Sequence, residues 1–280
     1  MMRDKLQTLL AQLRFHGIAS TLDGELERAE REATPAPELL YRLLTAEAAS
    51  RRQRSLTYRL DQARLPWPWT LESFPFDRQP GINKTQINSL AGLDFLRRTE
   101  NVLLIGAPGT GKTGIAIGLL REACLNGYRG RFYNAQNLLD ELYASLADRS
   151  TARLLSHLSR LQPLVIDELG YLTLRAEQVN AFFRLLDERY NRVSTIITTN
   201  LDLSDWYELF QKKPLVDALL DRLQHHCITI RIEGPSLRAP DPPPSTRADS
   251  NKPPRRTGST KQSMSSHPMT PTGARVRPYG

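Results

Sequence analysis

The stretch that decides the fold is NVLLIGAPGTGKT, residues 101–113, in which an apolar run leads directly into a glycine-rich loop. Its last eight residues fit the pattern G-x-x-x-x-G-K-[ST], whose backbone N–H groups close around a β-phosphate at the start of a helix. In this pattern the lysine reaches the β- and γ-phosphates, and the next hydroxyl binds Mg²⁺. We therefore predict a loop that binds ATP with Mg²⁺, formed by Gly106, Ala107, Pro108, Gly109, Thr110, Gly111, Lys112 and Thr113.

A second apolar run ends in two carboxylates. Residues 164–168 read LVIDE, so a buried strand would finish at Asp167, with Glu168 just beyond it. A strand-end aspartate in such proteins lies beside the Mg²⁺ that the loop hydroxyl binds. An adjacent glutamate can polarise the attacking water, which favours hydrolysis over transfer to a small-molecule acceptor. We predict that Thr113 and Asp167 hold Mg²⁺ and that Lys112 and Glu168 are catalytic.

Three further polar residues follow apolar or helical segments. Asn200 ends the run STIITTN and is predicted to orient the water, although a turn asparagine that closes a strand has the same pattern. Arg222 lies near the end of a helical segment. It could be an arginine finger for a neighbouring subunit, or a surface or aspartate-paired arginine. Arg238, just after the last strand, is a candidate ATP ligand.

Short apolar runs alternate with helical patterns from residue 101 to residue 232. This alternation predicts an α/β fold with a parallel sheet covered by helices on both faces. The predicted strands are 101–106, 130–134, 164–167, 194–200 and 227–232, and the predicted helices lie near 112–126, 136–147, 176–191 and 214–224. Residues 91–238 are the predicted ATPase domain.

Residues 1–65 carry leucines at helical spacing and predict a small all-α domain before the sheet. Its third helix is expected from about residue 38 to residue 64, with one side formed by Leu39, Leu40, Leu43 and Leu44. The second half of that helix is rich in arginine. This stretch is either a solvated helix face or a surface for DNA phosphates, and the candidate DNA-binding residues are Arg51, Arg52, Arg54 and Arg59.

Two segments are predicted to be irregular. Residues 66–90 form a linker rich in proline and aromatic residues. There, Trp67 and Trp69 could stack on bases or on the nucleotide, or staple the linker to the ATPase domain. Residues 239–280 hold nine prolines and almost no aliphatic side chain, so we expect a disordered basic tail.

The formal net charge of +8 and the pI near 9.7 favour a polyanionic partner such as duplex DNA. The tail supplies +5 of this charge, because it carries seven basic and two acidic side chains. No apolar run approaches the length of a membrane span, and Cys124 and Cys227 lack metal-ligand spacing. We expect a protein of the reducing cytoplasm without a membrane partner.

The motifs NVLLIGAPGTGKT, PLVIDELGYL, RYNRVSTIITTN, ALLDRLQHH and IEGPSLR have the order and spacing of a known family. The chain resembles IstB-like ATP-binding proteins, the helper ATPases of insertion-sequence transposition, which are related to the DnaC helicase loader. The resemblance covers roughly residues 5–238. The chain departs from it at Gly114-Ile115, where the family often has His-Leu, and at Leu237, where a tyrosine is usual.

The resemblance implies a P-loop AAA+ module of the ASCE class with strand order 5-1-4-3-2. It further implies that Asn200 is sensor 1, that Arg222 is a trans-acting arginine finger, and that Arg238 is a sensor-2-like arginine. Such proteins assemble as homo-oligomers on duplex DNA with ATP and stimulate a cognate transposase. The alternative is a DnaC-like loader that captures a replicative helicase and prefers single-stranded DNA.

Overall fold

The structure is a computed structural model that describes residues 2–170, 172 and 174–238. Three helices form its N-terminal part. They are α1 (Met2–Gln12), α2 (His16–Glu32) and α3 (Ala36–Ala63). Helix α3 begins at Ala36 rather than near residue 38, because Pro37 lies in its first turn, where a missing N–H costs nothing. The predicted disordered tail, residues 239–280, lies outside the described residues.

Helices α2 and α3 pack closely because Gly17 has no side chain. A Cβ atom at Gly17 would lie 2.6 Å from the carbonyl oxygen of Ala46 and 2.7 Å from the Cα of Glu47. The buried carboxylate of Glu47 accepts hydrogen bonds from the backbone N–H groups of Gly17 (2.7 Å) and Ile18 (3.3 Å). These groups lie at the start of α2 and have no partner within the helix, so Glu47 satisfies them with a favourable charge.

Helices α2 and α3 form a helical hairpin. The core of the N-terminal helices is small and consists of Leu10 of α1, Ile18 and Leu22 of α2, and Leu43 of α3. The leucine side of α3 is wider than the surface that α2 covers, since Leu40 and Leu44 are 58% and 59% exposed. The predicted leucine side of the third helix is therefore only partly buried.

The linker is less irregular than the sequence predicts. A single 3-10 turn covers Phe76–Arg78, followed by α4 (Lys84–Ala91) and α5 (Asp94–Arg97). Asn83 caps α4 by accepting a hydrogen bond from the backbone N–H of Gln86 (3.2 Å). The prediction of irregular chain up to residue 90 is wrong for α4. This helix buries only Ile87 and Leu90, too few apolar positions to give a helical period.

Five parallel strands form the central sheet in the order β2-β3-β4-β1-β5. This order confirms the α/β fold and the arrangement 5-1-4-3-2. The short helices α8 and α10 were not predicted. The elements are β1 (Asn101–Gly106), α6 (Lys112–Leu125), β2 (Arg131–Asn134), α7 (Ala135–Ala147), α8 (Thr151–Leu158), β3 (Leu164–Asp167), α9 (Ala176–Arg189), β4 (Thr195–Thr199), α10 (Trp206–Phe210), α11 (Lys213–His225) and β5 (Cys227–Ile232).

Helices bury both faces of the sheet, with α6 on one side and α7 and α9 on the other. The register of β2 against β3 pairs Asn134 with Asp167, the last residues of their strands. Because the carboxyl ends of parallel strands meet at one edge, the polar ends of β2, β3 and β4 converge beside the loop that follows β1. Within the described part of the chain, no helix combines the length and apolar character that a membrane crossing requires.

We predict opposite effects for two glycine-to-alanine substitutions in α2. Gly17→Ala places a methyl group against α3 and should lower the free energy of unfolding by about 1–3 kcal/mol through overpacking. Gly24→Ala has nothing within 4 Å of its new Cβ and should raise that free energy by about 0.5–1 kcal/mol, because alanine favours a helix. Urea denaturation measures both. Equal stabilities would show that the helices do not cross at Gly17.

Candidate active site

The phosphate loop, residues 106–113, connects β1 to α6. Gly109 and Gly111 have φ angles of +83° and +96°, which side chains other than glycine rarely adopt. A Cβ atom at Gly111 would also lie 2.6 Å from the ring of Phe74. The loop thus turns its backbone toward the N-terminus of the 14-residue helix α6, whose free N–H groups and positive dipole end favour a bound phosphate.

Lys112 folds back over this loop. Its ammonium Nζ donates hydrogen bonds to the carbonyl oxygens of Gly106 (2.7 Å) and Ala107 (2.8 Å). Burial lowers the pKa of Lys112, and the carboxylates of Asp167 and Glu168 act in the opposite direction. The ammonium group of Lys112 therefore lies in the wall of the cleft, close enough to both predicted carboxylates for their charges to raise its pKa.

Asp167 joins the phosphate loop to the sheet. Its buried carboxylate accepts hydrogen bonds from the hydroxyl of Thr113 (2.9 Å) and from that of Thr198 on β4 (2.6 Å). Burial raises the pKa of Asp167, and the two threonine hydrogen bonds oppose this rise. A carboxylate beside a hydroxyl is the hard-oxygen donor set that Mg²⁺ prefers, and this ion usually takes its other ligands from phosphates and water.

Glu168 lies just past the end of β3 and is exposed to the cleft. Its φ angle of +62° is unusual for a non-glycine residue and turns the chain away from the strand direction. The backbone N–H of Glu168 donates to the hydroxyl of Thr198 (2.9 Å), and its carboxylate accepts a hydrogen bond from the side-chain amide of Asn134 (3.0 Å). The predicted catalytic carboxylate is therefore held at both its backbone and its side chain.

Asn134 was not among the predicted site residues. It ends β2, and its side-chain oxygen also caps α7 by accepting from the backbone N–H of Gln136 (3.0 Å). The available signal was its place at the end of an apolar run, the same signal that identified Asn200. The relevance of Asn134 to the site depends on the register of β2 against β3, which pairs it with Asp167 and which the motifs do not give.

Asn200 follows β4 and lines the same cleft as Lys112 and Glu168. Its side chain packs on the backbone of Gly170, so closely that a Cβ atom at Gly170 would collide with the amide oxygen. Arg238 is exposed and lines the same cleft, where its charge contributes to lowering the pKa of Lys112. Both residues are thus brought to the phosphate loop.

Arg222 is not brought to this cleft. Its guanidinium forms an ion pair with Asp187 (2.7 Å) and lies 5.3 Å from the ring centroid of Tyr190. The side chain remains 36% exposed. Pairing with an aspartate, one of the alternatives that the sequence leaves open for Arg222, is therefore present. A cation held at the surface by one exposed carboxylate and a ring face also remains able to meet a neighbouring molecule.

The four candidate DNA-binding arginines have different environments. Arg51 and Arg54 both donate to Glu47, at 2.8 Å and 3.2 Å, and remain about half exposed. Arg59 reaches α6, where it donates to the carbonyl oxygen of Cys124 (2.8 Å). Arg52 is exposed on α3. The stretch is therefore partly structural, and its role in DNA binding remains a prediction.

The cleft has a volume of about 1250 Å³ and extends beyond the charged residues. Trp67 and Trp69 of the linker and Tyr133 of β2 also line it. The hydroxyl of Tyr133 is buried, and its acidic neighbour is Glu141, which also lines the cleft. Burial raises the pKa of Tyr133 to about 12, so this hydroxyl stays protonated and able to donate.

Comparisons with known proteins identify the family of the chain. Residues 8–242 match the family model described as IstB-like ATP binding protein. The chain is 41% identical over 234 residues to a Pseudomonas aeruginosa protein named as a putative ATP-binding protein of insertion sequence IS21. The aligned residues cover 84% of this chain and 88% of that protein. A similar protein named for insertion sequence IS5376 of Geobacillus stearothermophilus is 31% identical over 237 residues, covering 85% and 94%.

The fold is also similar to that of the DnaC helicase loader, whose crystal structure gives a TM-score of 0.50 at 23% identity. This similarity covers 61% of the present chain and 100% of the DnaC chain. At this identity the match supports the fold alone, a five-stranded parallel sheet of the AAA+ type.

We predict that Thr198→Val shifts the pH dependence of Mg²⁺-ATP binding. The lost hydrogen bond favours the ionised form of Asp167, so its removal raises the pKa of Asp167 further. The protonated carboxyl then persists to higher pH, and the acid limb of binding should move upward. Thr199→Val is the matched control, because the buried Thr199 hydroxyl accepts from the backbone N–H of Leu201 instead. Calorimetric titrations between about pH 4 and 8, a range above the ordinary aspartate pKa of about 3.9, measure both. Coincident acid limbs would contradict the assignment.

Proposed function

The chain belongs to the family of IstB-like ATP binding proteins, and on this premise we propose that it is a DNA-dependent ATPase of insertion-sequence transposition. It assembles on duplex DNA in the cytoplasm as an ATP-bound homo-oligomer and stimulates a cognate transposase during target selection. The observation that supports the proposal is the placement of the predicted catalytic residues. Asp167, Glu168 and Asn200 line the cleft, whereas Arg222 lies outside it on an exposed ion pair.

The residues of the cleft have complementary tasks in hydrolysis. The N–H groups of the phosphate loop and the start of α6 bind the phosphates, and Lys112 exchanges its loop carbonyls for phosphate oxygens. Thr113 and Asp167 are the ligands for Mg²⁺, which when bound neutralises developing charge on the phosphate oxygens. Glu168 accepts the proton of the attacking water, and Asn200 orients that water.

Two further side chains contribute to the proposed reaction. Asn134 fixes the carboxylate of Glu168 and caps α7 at the same time, so the orientation of Glu168 depends on the junction of β2 and α7. Arg222 of one subunit stabilises charge at the γ-phosphate bound by its neighbour. Hydrolysis then depends on assembly, because a single subunit does not bring Arg222 to its own cleft.

We predict that Glu168→Gln retains ATP binding but lowers turnover by at least about 100-fold, because the amide cannot accept the proton of the water. The variant should accumulate in the assembled state on DNA. Nucleotide binding by calorimetry and phosphate release measure the two properties separately. Normal turnover in this variant would exclude Glu168 as the catalytic base.

Mixed oligomers test the trans position of Arg222. Arg222→Ala and Lys112→Ala should each lose hydrolysis alone, and a mixture should regain part of it because each subunit supplies the group that the other lacks. Arg184→Ala is the matched control, since Arg184 is also a surface arginine of this domain that pairs with an acidic neighbour. Failure of every mixing ratio to restore phosphate release would contradict a finger in trans.

The arginine-rich half of α3 is the proposed DNA surface. We predict that Arg52→Ala weakens binding to duplex DNA and reduces the slope of log K against log salt by about one unit, as expected for the loss of one phosphate contact. Arg28→Ala is the control, because Arg28 lies in the same helical hairpin but pairs with Glu32. Fluorescence anisotropy at several salt concentrations measures the slope. Equal slopes for the two variants would exclude this position.

Preference for single strands, together with capture of a replicative helicase, would favour the loader function instead.

A further inference from the structure

Two tryptophans leave much of their surface exposed at the mouth of the active-site cleft. Trp67 and Trp69 are 50% and 47% exposed. Their rings stack on each other, with centroids 5.5 Å apart and an interplanar angle of 27°. The third tryptophan of the chain, Trp206, is fully buried. Exposed indole faces that line a cleft indicate a ligand, because covering them removes a large apolar area from water.

The linker holds this pair directly beside the phosphate loop. A Cβ atom at Gly114, in the first turn of α6, would lie 2.8 Å from the ring of Trp69. Gly114 therefore leaves the space that Trp69 occupies, and the indole lies against the helix turn whose N–H groups face the phosphates. Trp69 does fasten the linker to the ATPase domain, but about half of each indole remains available to a ligand.

The residues that line the cleft are of two chemical kinds. The charged side chains of Lys112, Asp167 and Glu168 line the same cavity as the indoles of Trp67 and Trp69. A nucleoside triphosphate held by its phosphates must place its base elsewhere in that cavity. Every nucleobase has a flat π-face, and stacking on an aromatic side chain is the usual way in which proteins hold one.

We propose that the Trp67–Trp69 pair is the subsite that stacks on the base of the bound nucleotide and favours purine over pyrimidine nucleotides. The two-ring purine covers more of an indole face, so it removes more apolar surface from water. This inference rests on the proposed nucleotide-binding function. The bases of a DNA strand are the competing occupant, and the continuity of the pair with the phosphate loop favours the nucleotide.

The test compares ligands with and without a base, using the full-length protein. Calorimetry measures the affinities of ATP, CTP and inorganic tripolyphosphate for the wild type, Trp67→Leu and Trp69→Leu. Each substitution should weaken ATP binding about tenfold, within the range expected for the loss of one stacking partner, and leave tripolyphosphate unchanged. The preference for ATP over CTP should shrink as well. Trp67→Phe and Trp69→Phe should restore most of the ATP affinity, because they keep an aromatic face.

Intrinsic fluorescence gives a second readout. ATP should quench the emission of the wild type more than tripolyphosphate does, because a stacked base quenches an indole and Trp206 contributes only a constant background from the core. In Trp67→Phe and Trp69→Phe, the remaining exposed tryptophan should still respond to ATP. Absence of any ATP-specific quenching in the wild type would overturn the proposal.

Several outcomes separate this inference from others. Equal losses for ATP and tripolyphosphate would overturn it, because the pair would then only support the loop. Unchanged ATP affinity with weaker binding of a single-stranded oligonucleotide would assign the pair to DNA. Trp67→Leu keeps the test valid if Trp69→Leu fails to fold, because it leaves Trp69 on Gly114. If the wild type binds neither ATP nor tripolyphosphate, the proposed function fails too. ATP binding that is insensitive to both leucine variants rejects the stacking subsite alone.

Discussion

A carboxylate can be buried in a protein only when hydrogen-bond donors surround it, and the nucleotide site is built on this requirement at Asp167. Its donors are the hydroxyls of Thr113 on α6 and Thr198 on β4. The Thr198 hydroxyl also accepts a hydrogen bond from the backbone N–H of Glu168. One buried side chain thus connects the phosphate loop to two strands, and the loop cannot move relative to the sheet without breaking bonds to that charge.

The sequence predicts the fold class, the family and all five strands, because the motifs that carry them are contiguous in the chain. It does not predict α8 and α10, because helices this short give too few periodic positions. The role of Asn134 depends on the register of β2 against β3, and the pairing of Arg222 with Asp187 depends on how α11 packs on α9. Tertiary relations of this kind join residues that are distant in sequence. The catalytic assignments themselves stay predictions until they are measured.

Charge alone is a poor guide to the surface of the N-terminal hairpin. The arginines of α3 look uniform in the sequence, but Glu47 accepts hydrogen bonds from two of them and from two backbone groups of α2. Glu47 therefore joins α2 to α3 and lowers the net positive charge of the arginine-rich stretch of α3. The exposed guanidinium groups keep further N–H donors, so structural pairing and phosphate contact are compatible at Arg51 and Arg54.

Helix α6 connects the candidate nucleotide site to the helical hairpin. Its first turn borders the phosphate loop, and the carbonyl of Cys124 in its last turn accepts a hydrogen bond from Arg59 of α3. At 1.5 Å per residue its length is roughly 21 Å. One helix therefore contacts both the phosphate loop and α3. If ATP changes the affinity of the hairpin for a ligand by some factor, linkage requires that ligand to change the affinity for ATP by the same factor.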